Sequence, residues 1–280
     1  MDLSFFTLDG DALVPTFMAQ SMWSEDQMHG VAVSGALARA LEHCVLDSGA
    51  TGLRPARVTV DLFRAAAMAP STLEAHVVRQ GGRILLADAV MTQDGEPVAR
   101  ASAVFLRPSE SAQGEVWEPD DRPTPPPTDE VPPSDEPRVP FLHSSAGWTQ
   151  KFGEHQNASR KTSWNTAIPI VAGEKVTPFQ GVASTADAGS MVTNWGSNGV
   201  EHINTDITVT FAREPAGVEV GLRAADRVEH DGIAVGTATL FDRAGTLGTV
   251  VVTALANTRR TVDLGGVEYT DDGGRTVTRV

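Results

Sequence analysis

Two segments of alternating apolar and polar residues set the pattern of this chain. "RVTVDLF" (57–63) and "RILLADAVMTQ" (83–93) place an apolar side chain at every second position, the period of a strand with one covered face. "STLEAHVVRQ" (71–80) and "PVARASAVFLR" (97–107) alternate or are rich in β-branched residues, and "GG" at 81–82 and "DG" at 94–95 supply hairpin turns. Ahead of these segments the period changes. Leu37, Leu41, Cys44 and Val45 recur at helical spacing, and Gly49 and Gly52 follow as stop signals. The predicted order is a short strand, one long helix and then three or four strands.

That order occurs twice. "RVTVDLFRAAAMAP" aligns with "DITVTFAREPAG", pairing Thr59 with Thr208, Val60 with Val209 and Arg64 with Arg213, each 149 positions apart. "ILLADAVMTQDG" meets "IAVGTATLFDRAG" at the same offset, and Gly95 meets Gly245 one residue later, as a single insertion in the turn requires. "VEVGLRAADRVE" (218–229) and "LGTVVVTALAN" (247–257) complete the second set of strands. Each half also has a Gly that opens a helix-like run, Gly30 in "HGVAVSGALARALEHC" and Gly181 in "QGVASTADAGSM", 151 apart. A register held over so many residues marks a tandem duplication. Two copies of one helix against an antiparallel sheet describe an α+β fold.

Between the copies, "PSESAQGEVWEPDDRPTPPPTDEVPPSDEPRVP" is crowded with Pro and acids and reads as an extended linker with polyproline character. The division is therefore an N-terminal repeat over 1–108, a linker over 109–140, a C-terminal repeat over 141–261 and a polar tail over 262–280. The tail, "DLGGVEYTDDGGRTVTRV", is expected to be an exposed appendage or a disordered end.

Composition narrows the function. With 22 Lys and Arg against 36 Asp and Glu the formal charge is −14, so a phosphate backbone is repelled and nucleic acid is set aside as a partner. One cysteine, Cys44, forms no internal disulfide and offers no zinc-ligand spacing; it is read as a core residue of a protein in the reducing cytoplasm, without a metal. The N-terminus has no basic region of a signal peptide, and no apolar run is long enough for a membrane span. A G-x-S-x-G elbow, a G-x-G-x-x-G loop and a P-loop are all missing, so the sequence gives no support to serine-hydrolase or nucleotide chemistry.

What remains is an acid in an odd place. Asp187 stands among Ala183, Ala186, Ala188 and Met191, on the apolar side of a helix-like run. A solvated helix carboxylate is the plain alternative. Ala36 holds the matching position of the first repeat, which suits a duplicated protein that has kept one working centre. His29 and Gly30 open the first helix, where backbone amides polarise an oxygen or merely need capping. His143 and His155 read as surface histidines. Phe17, Met18, Met22, Trp23 and Met28 cluster before the first helix; packing beneath it is the expectation, and lining a pocket is the alternative.

On "MHGVAVSGALARALE" (28–42), on 57–108, and on "DITVTFAREP" with "GIAVGTATLFDRAGTLGTVVVTAL", the chain resembles the acyl-CoA thioesterase-like proteins, relatives of the type II acyl-CoA thioesterases. The resemblance implies a tandem (double) hotdog, each half an antiparallel sheet wrapped around one long helix. It further implies hydrolysis of acyl-CoA or a related thioester, a place in lipid metabolism, and no cofactor. A weakly active acyl-binding protein is the alternative, and a hotdog hydratase a more distant one. In that family a helix Asp, a strand Thr or Ser and a Gln on the last strand hold the attacking water. By position these fall on Asp187, Asn204 and Thr253, so the acid matches and its partners differ; Gly30, with His29, would serve the oxyanion. The duplication supplies within one chain the contact that single hotdogs obtain by dimerising, with a further homodimer possible through sheet edges.

Overall fold

The alternating segments pair into one sheet because each has an apolar face that only a helix layer can cover. The computed structural model describes residues 3–257, 259–269 and 275–277. In the first half β1 (Phe6–Asp9) and β2 (Ala12–Pro15) form a hairpin, and α1 (Gly30–Asp47) follows. After it come β3 (Arg54–Asp61), β4 (Thr72–Gln80), β5 (Ile84–Gln93) and β6 (Glu96–Leu106). In the second half β7 (Phe141–Ser144), β8 (Gly147–Thr149) and β9 (Thr162–Thr166) precede two short helices, α2 (Pro178–Thr185) and α3 (Ala188–Asn194). A small ribbon of β10 (Trp195–Gly196) and β11 (Gly199–Val200) leads into β12 (His202–Phe211), β13 (Glu219–His230), β14 (Ile233–Asp242) and β15 (Gly245–Ala256). β16 (Val267–Tyr269) and β17 (Arg275–Val277) pair beyond them.

Eleven strands form a single antiparallel sheet in the order β4-β5-β6-β3-β12-β15-β14-β13-β9-β7-β8. Its centre is the pairing of β3 with β12, in which Thr208 lies opposite Thr59. These are equivalent residues of the two copies, and their hydroxyls hydrogen-bond at 3.0 Å. A pseudo-two-fold axis therefore passes between them, and the two halves meet as the subunits of an isologous dimer would. This is the double hotdog that the resemblance implies.

The helices obey the same symmetry. α1 and α2 run antiparallel, with Ser184 Oγ donating to the Val31 carbonyl at 2.9 Å near one end. Near the other, Thr177 Oγ1 and Gln180 Nε2 donate to Glu42 at 2.9 Å and 2.7 Å. Gly35 lets the helices approach closely, since a Cβ there would come within 3.2 Å of the Ser184 side chain. The core lies between these helices and the sheet, with Leu85, Ala87, Ala89 and Met91 of β5 alternating inward toward Ala36, Leu37 and Leu41.

The second half departs from the expectation of one long helix. Asp187 keeps helical dihedrals (φ −61°, ψ −30°), but the bonds around it shorten to i→i−3: Gly189 N–H to Ala186 O at 2.9 Å and Ser190 N–H to Asp187 O at 3.0 Å. The run therefore tightens between α2 and α3. Cys44 is half-buried at the margin of α1 rather than in the core.

The segment between the halves has no helix or long strand, yet it is fastened to the C-terminal sheet. Val131 is buried against Trp164 and Phe241. Glu219 of β13 accepts from Arg138 at 2.7 Å, Arg243 at 2.8 Å and the Trp164 indole at 3.1 Å, while Arg243 also donates to the Val131 carbonyl at 2.9 Å. The tail differs more sharply from its polar composition. Val262, Leu264 and Val267 are buried with Leu142, Phe152, Trp195 and Val200 in a cluster of their own, because a few apolar residues at the right spacing suffice to dock a short polar segment. Residues 270–274 and 278–280 of the tail lie outside the described residues.

Removing one carboxylate from a mostly buried two-arginine network strands both cations. Glu219→Ala is expected to lower stability by about 2–3 kcal/mol and to speed proteolytic cleavage between residues 109 and 140. Chemical denaturation and limited proteolysis read the two effects; an unchanged midpoint together with unchanged cleavage would show that other contacts hold the segment.

Candidate functional site

The close crossing of α1 and α2 brings the end of one helix to the beginning of the other. Asp187, just past α2, lies against the first turn of α1, where a Cβ on Gly30 would sit 2.6 Å from its Cγ. Glycine is required there by that contact. Asn204 Nδ2 donates to Asp187 Oδ1 at 2.9 Å from the neighbouring strand. Asp187 is half-buried in the cavity wall, and desolvation pushes its pKa up from 3.8 to about 6, against the Asn204 hydrogen bond and the Val31 backbone amide, which both favour the charged form. The positive end of the α1 dipole acts in the same direction as those donors.

A β-bulge aims Asn204. The ladder between β12 and β15 skips a residue between Asn204 and Asp206, so His202 and Asn204 face the helices on one side of the bulge, and Ile207 and Val209 do so on the other. The first repeat has the same bulge between Pro55 and Arg57, 149 positions earlier. There the counterpart of Asn204 is Pro55 and the counterpart of Asp187 is Ala36. The duplicated place keeps the backbone irregularity and carries neither polar group.

Thr253 does not reach this site. Val250, Val252 and Ala254 of β15 are buried toward the helices, whereas Thr253 points through the other face. A second bulge explains the slip: Leu240 pairs with Gly248 and Phe241 with Thr246, leaving Leu247 as an extra residue. Counting in twos from Leu247 crosses it and arrives on the wrong face. The residue opposite Asn204 is Ala254, so the last strand brings no polar side chain beside it.

His29 caps α1. Its Nδ1 accepts the Ala32 N–H at 3.0 Å, so the ring proton sits on Nε2 and is donated to the Met18 carbonyl 2.8 Å away. With both nitrogens engaged, the imidazole holds the helix entry instead of presenting a proton. His155, expected at the surface, is fully buried and bonded to the hydroxyls of Ser144 at 2.9 Å and Thr149 at 3.0 Å. Burial pushes its pKa down.

Asp187, Asn204, Gly30 and His29 all line one cavity of about 620 Å³. Its walls include Phe17, Met18, Met22, Trp23 and Met28, so the aromatic and methionine cluster before α1 borders the cavity as well as packing. That volume lies within the usual range for sites that bury a small organic ligand. Arg64 stands at its wall, more than half exposed, and Arg138 of the connecting segment joins it. Composition hides Arg138 among prolines and acids, and the Val31 amide leaves no mark in a sequence at all. Among the described residues, no three His, Cys, Asp or Glu side chains gather to hold a metal ion, and no helix is long and apolar enough to cross a membrane.

The raised acid has a measurable cost. Because Asp187 binds its proton more tightly folded than unfolded, stability falls as pH rises through the window from about 4 to 6, and the loss is complete above it. Asp187→Asn should therefore raise stability at pH 7–8, by at most about 2–3 kcal/mol, and flatten the pH dependence in that window. Thermal unfolding of the two proteins across pH 4–8 tests this; equal slopes would refute a perturbed carboxyl.

Comparisons with known proteins bear on the family and the fold. A family model described as the acyl-CoA thioesterase N-terminal domain matches residues 19–106, and one for the acyl-CoA thioesterase C-terminal domain matches 118–255. Among solved structures, a putative thioesterase II from Thermobifida fusca superposes with a TM-score of 0.63 at 14% identity, covering 91% of this chain and 96% of its own. A tesB protein from Mycobacterium avium subs. paratuberculosis gives 0.60 at 16% identity over 90% and 95% of the two chains. A conserved protein of unknown function with hot dog fold from Alicyclobacillus acidocaldarius gives 0.62 at 22% identity over 92% and 98%. At these identities the superpositions speak for the fold. No curated protein matches the chain. The two family matches, one on each repeat and both extending over the site, place this chain in the acyl-CoA thioesterase family.

Proposed function

We propose that the chain hydrolyses an acyl-CoA, or a related acyl thioester, to the free acid and thiol, with Asp187 as the general base. The observation that carries this is the placement of the Asp187 carboxyl in the cavity wall, against Gly30 at the start of α1 and 2.9 Å from Asn204 Nδ2, where desolvation raises its pKa to about 6. A base is most effective when its pKa lies near the working pH, and this one is ionised at neutrality while still able to accept a proton.

In the proposed reaction a water held between Asp187 and the carbonyl oxygen of Asn204 attacks the thioester carbon. Its proton passes to Asp187 as the C–O bond forms, and the carbonyl oxygen takes the negative charge. The Gly30 amide, at the first position of α1, supports that charge together with the helix dipole. Collapse breaks the C–S bond, and the leaving thiolate takes the proton back from Asp187. Family membership supports thioester chemistry of this kind, and the missing side-chain amide opposite Asn204, where Ala254 stands, favours modest turnover. The same feature supports the second reading, a protein that binds the acyl group and releases it slowly.

Thiol release from a panel of acyl-CoAs, followed with a thiol-reactive dye, decides between them. Asp187→Asn is expected to lower kcat by about 10²- to 10⁴-fold, and the wild-type kcat should climb with a midpoint near pH 6. Tight acyl-CoA binding without thiol release above that of the variant would leave the binding protein as the answer. Asn204→Ala should cost kcat about tenfold or more with a smaller change in KM; a raised KM with kcat unchanged would place Asn204 in binding alone.

A further inference from the structure

The cavity wall contains residues that follow the end of the family match. Val262, Leu264 and Tyr269 line the cavity with Asp187, although the C-terminal domain match stops at residue 255. Phe152 and Val200, which also line it, are the residues against which this segment is seated.

The seat is built to receive that segment. Val200 and Val262 exchange backbone hydrogen bonds in both directions, at 2.9 Å and 3.0 Å. Gln156 reads the next peptide with its side-chain amide, donating to Asp263 Oδ1 and accepting the Leu264 N–H, each at 2.9 Å. Gly199 has φ +87°, and any Cβ on it would press against Asp263 Cα at 3.2 Å; one on Gly153 would lie 2.6 Å from the Gly265 carbonyl oxygen. Two positions are thus kept without side chains so that the segment can lie flat. The Tyr269 ring meets Phe152 with centroids 4.9 Å apart, and Phe152 stacks on Trp195 at 5.9 Å. Backbone pairing, an amide clamp, two glycine seats and an aromatic contact fix these residues as wall.

We propose that Val262–Tyr269 is the specificity-determining wall of the acyl cavity, limiting the size of acyl group that the site accepts. The proposal rests on the reading of this cavity as an acyl site. A fixed apolar wall rejects extra methylenes by overlap, and each methylene is worth roughly 10- to 200-fold in discrimination. The wall acts on the acyl group and leaves the chemistry at Asp187 alone, so it sets the ratio of kcat/KM between long and short substrates.

The test uses the full chain and straight-chain acyl-CoAs of increasing length. Tyr269→Ala removes bulk from the wall, Tyr269→Trp adds it, and Gln156→Ala loosens the segment without altering the wall itself. Each is measured for thiol release, and for acyl-CoA affinity in an Asp187→Asn background, where hydrolysis is suppressed. The expected result is a rise of about tenfold or more in the long-to-short ratio for Tyr269→Ala, a smaller rise for Gln156→Ala, and a fall for Tyr269→Trp. Ratios unchanged in all three overturn the proposal. So does a uniform loss over all lengths that follows a loss of thermal stability, since that assigns the segment to folding alone. Absence of thiol release from the wild type would defeat the hydrolase reading, while the affinity ratios would still decide on the wall.

Discussion

The pairing of β3 with β12 is the constraint from which the site follows. It joins two sheets into one at a single register, with Thr59 opposite Thr208 on the pseudo-two-fold. Once that register is set, the helix of each half crosses the other antiparallel, and the end of α2 arrives at the beginning of α1. A carboxylate there is surrounded by apolar residues and faces backbone amides that no later turn of helix satisfies. The site is therefore made at the contact between copies, using an amide from the first copy and an acid from the second.

The duplication separates what the fold needs from what the chemistry needs. Bulges recur in both copies at Pro55 and Asn204, and again at Met91 and Leu240, 149 positions apart each time. A glycine opens the helical run in both, as Gly30 and Gly181. The polar pair does not recur, for Ala36 and Pro55 stand where Asp187 and Asn204 would be. Retaining a buried acid costs stability, so a copy relieved of that role gains by exchanging it for small apolar groups. Glu219 shows the opposite use of a carboxylate, where two arginines and an indole surround it and the segment between the copies is tied down as a result.

Much of this was readable in the chain because strand and helix periods are local. The repeat offset identified both copies and set Asp187 against Ala36, while the resemblance to the thioesterase-like proteins put Asn204 on its strand. Counting failed where the backbone breaks its own period: the extra residue at Leu247 turned Thr253 away, and the tightened turn at Asp187 split a helix that looked continuous. Composition failed at the segments it judged as wholes. Val262, Leu264 and Val267 are three apolar residues in a polar tail, and His155 is one histidine in a polar loop; their burial depends on partners distant in sequence. The Val31 amide and the role of Arg138 belong to tertiary structure only.

The central register also governs how the protein can be made. β3 and β12 are about half the chain apart, so during synthesis at about 5–20 residues per second the first copy waits roughly 7–30 s for its counterpart. Through that interval the β3 edge is an open row of amides and carbonyls, flanked by alternating apolar residues, which is the kind of edge that pairs with any strand within reach. The nearest competitor on a crowded ribosome is the same edge of another nascent chain. An acidic, proline-rich stretch emerges just after the first copy and just before the second. Its proline content keeps it from adding a strand of its own, and its charge repels an identical neighbour. The connecting segment thus brings charge and proline next to that edge in sequence before it becomes part of the finished sheet.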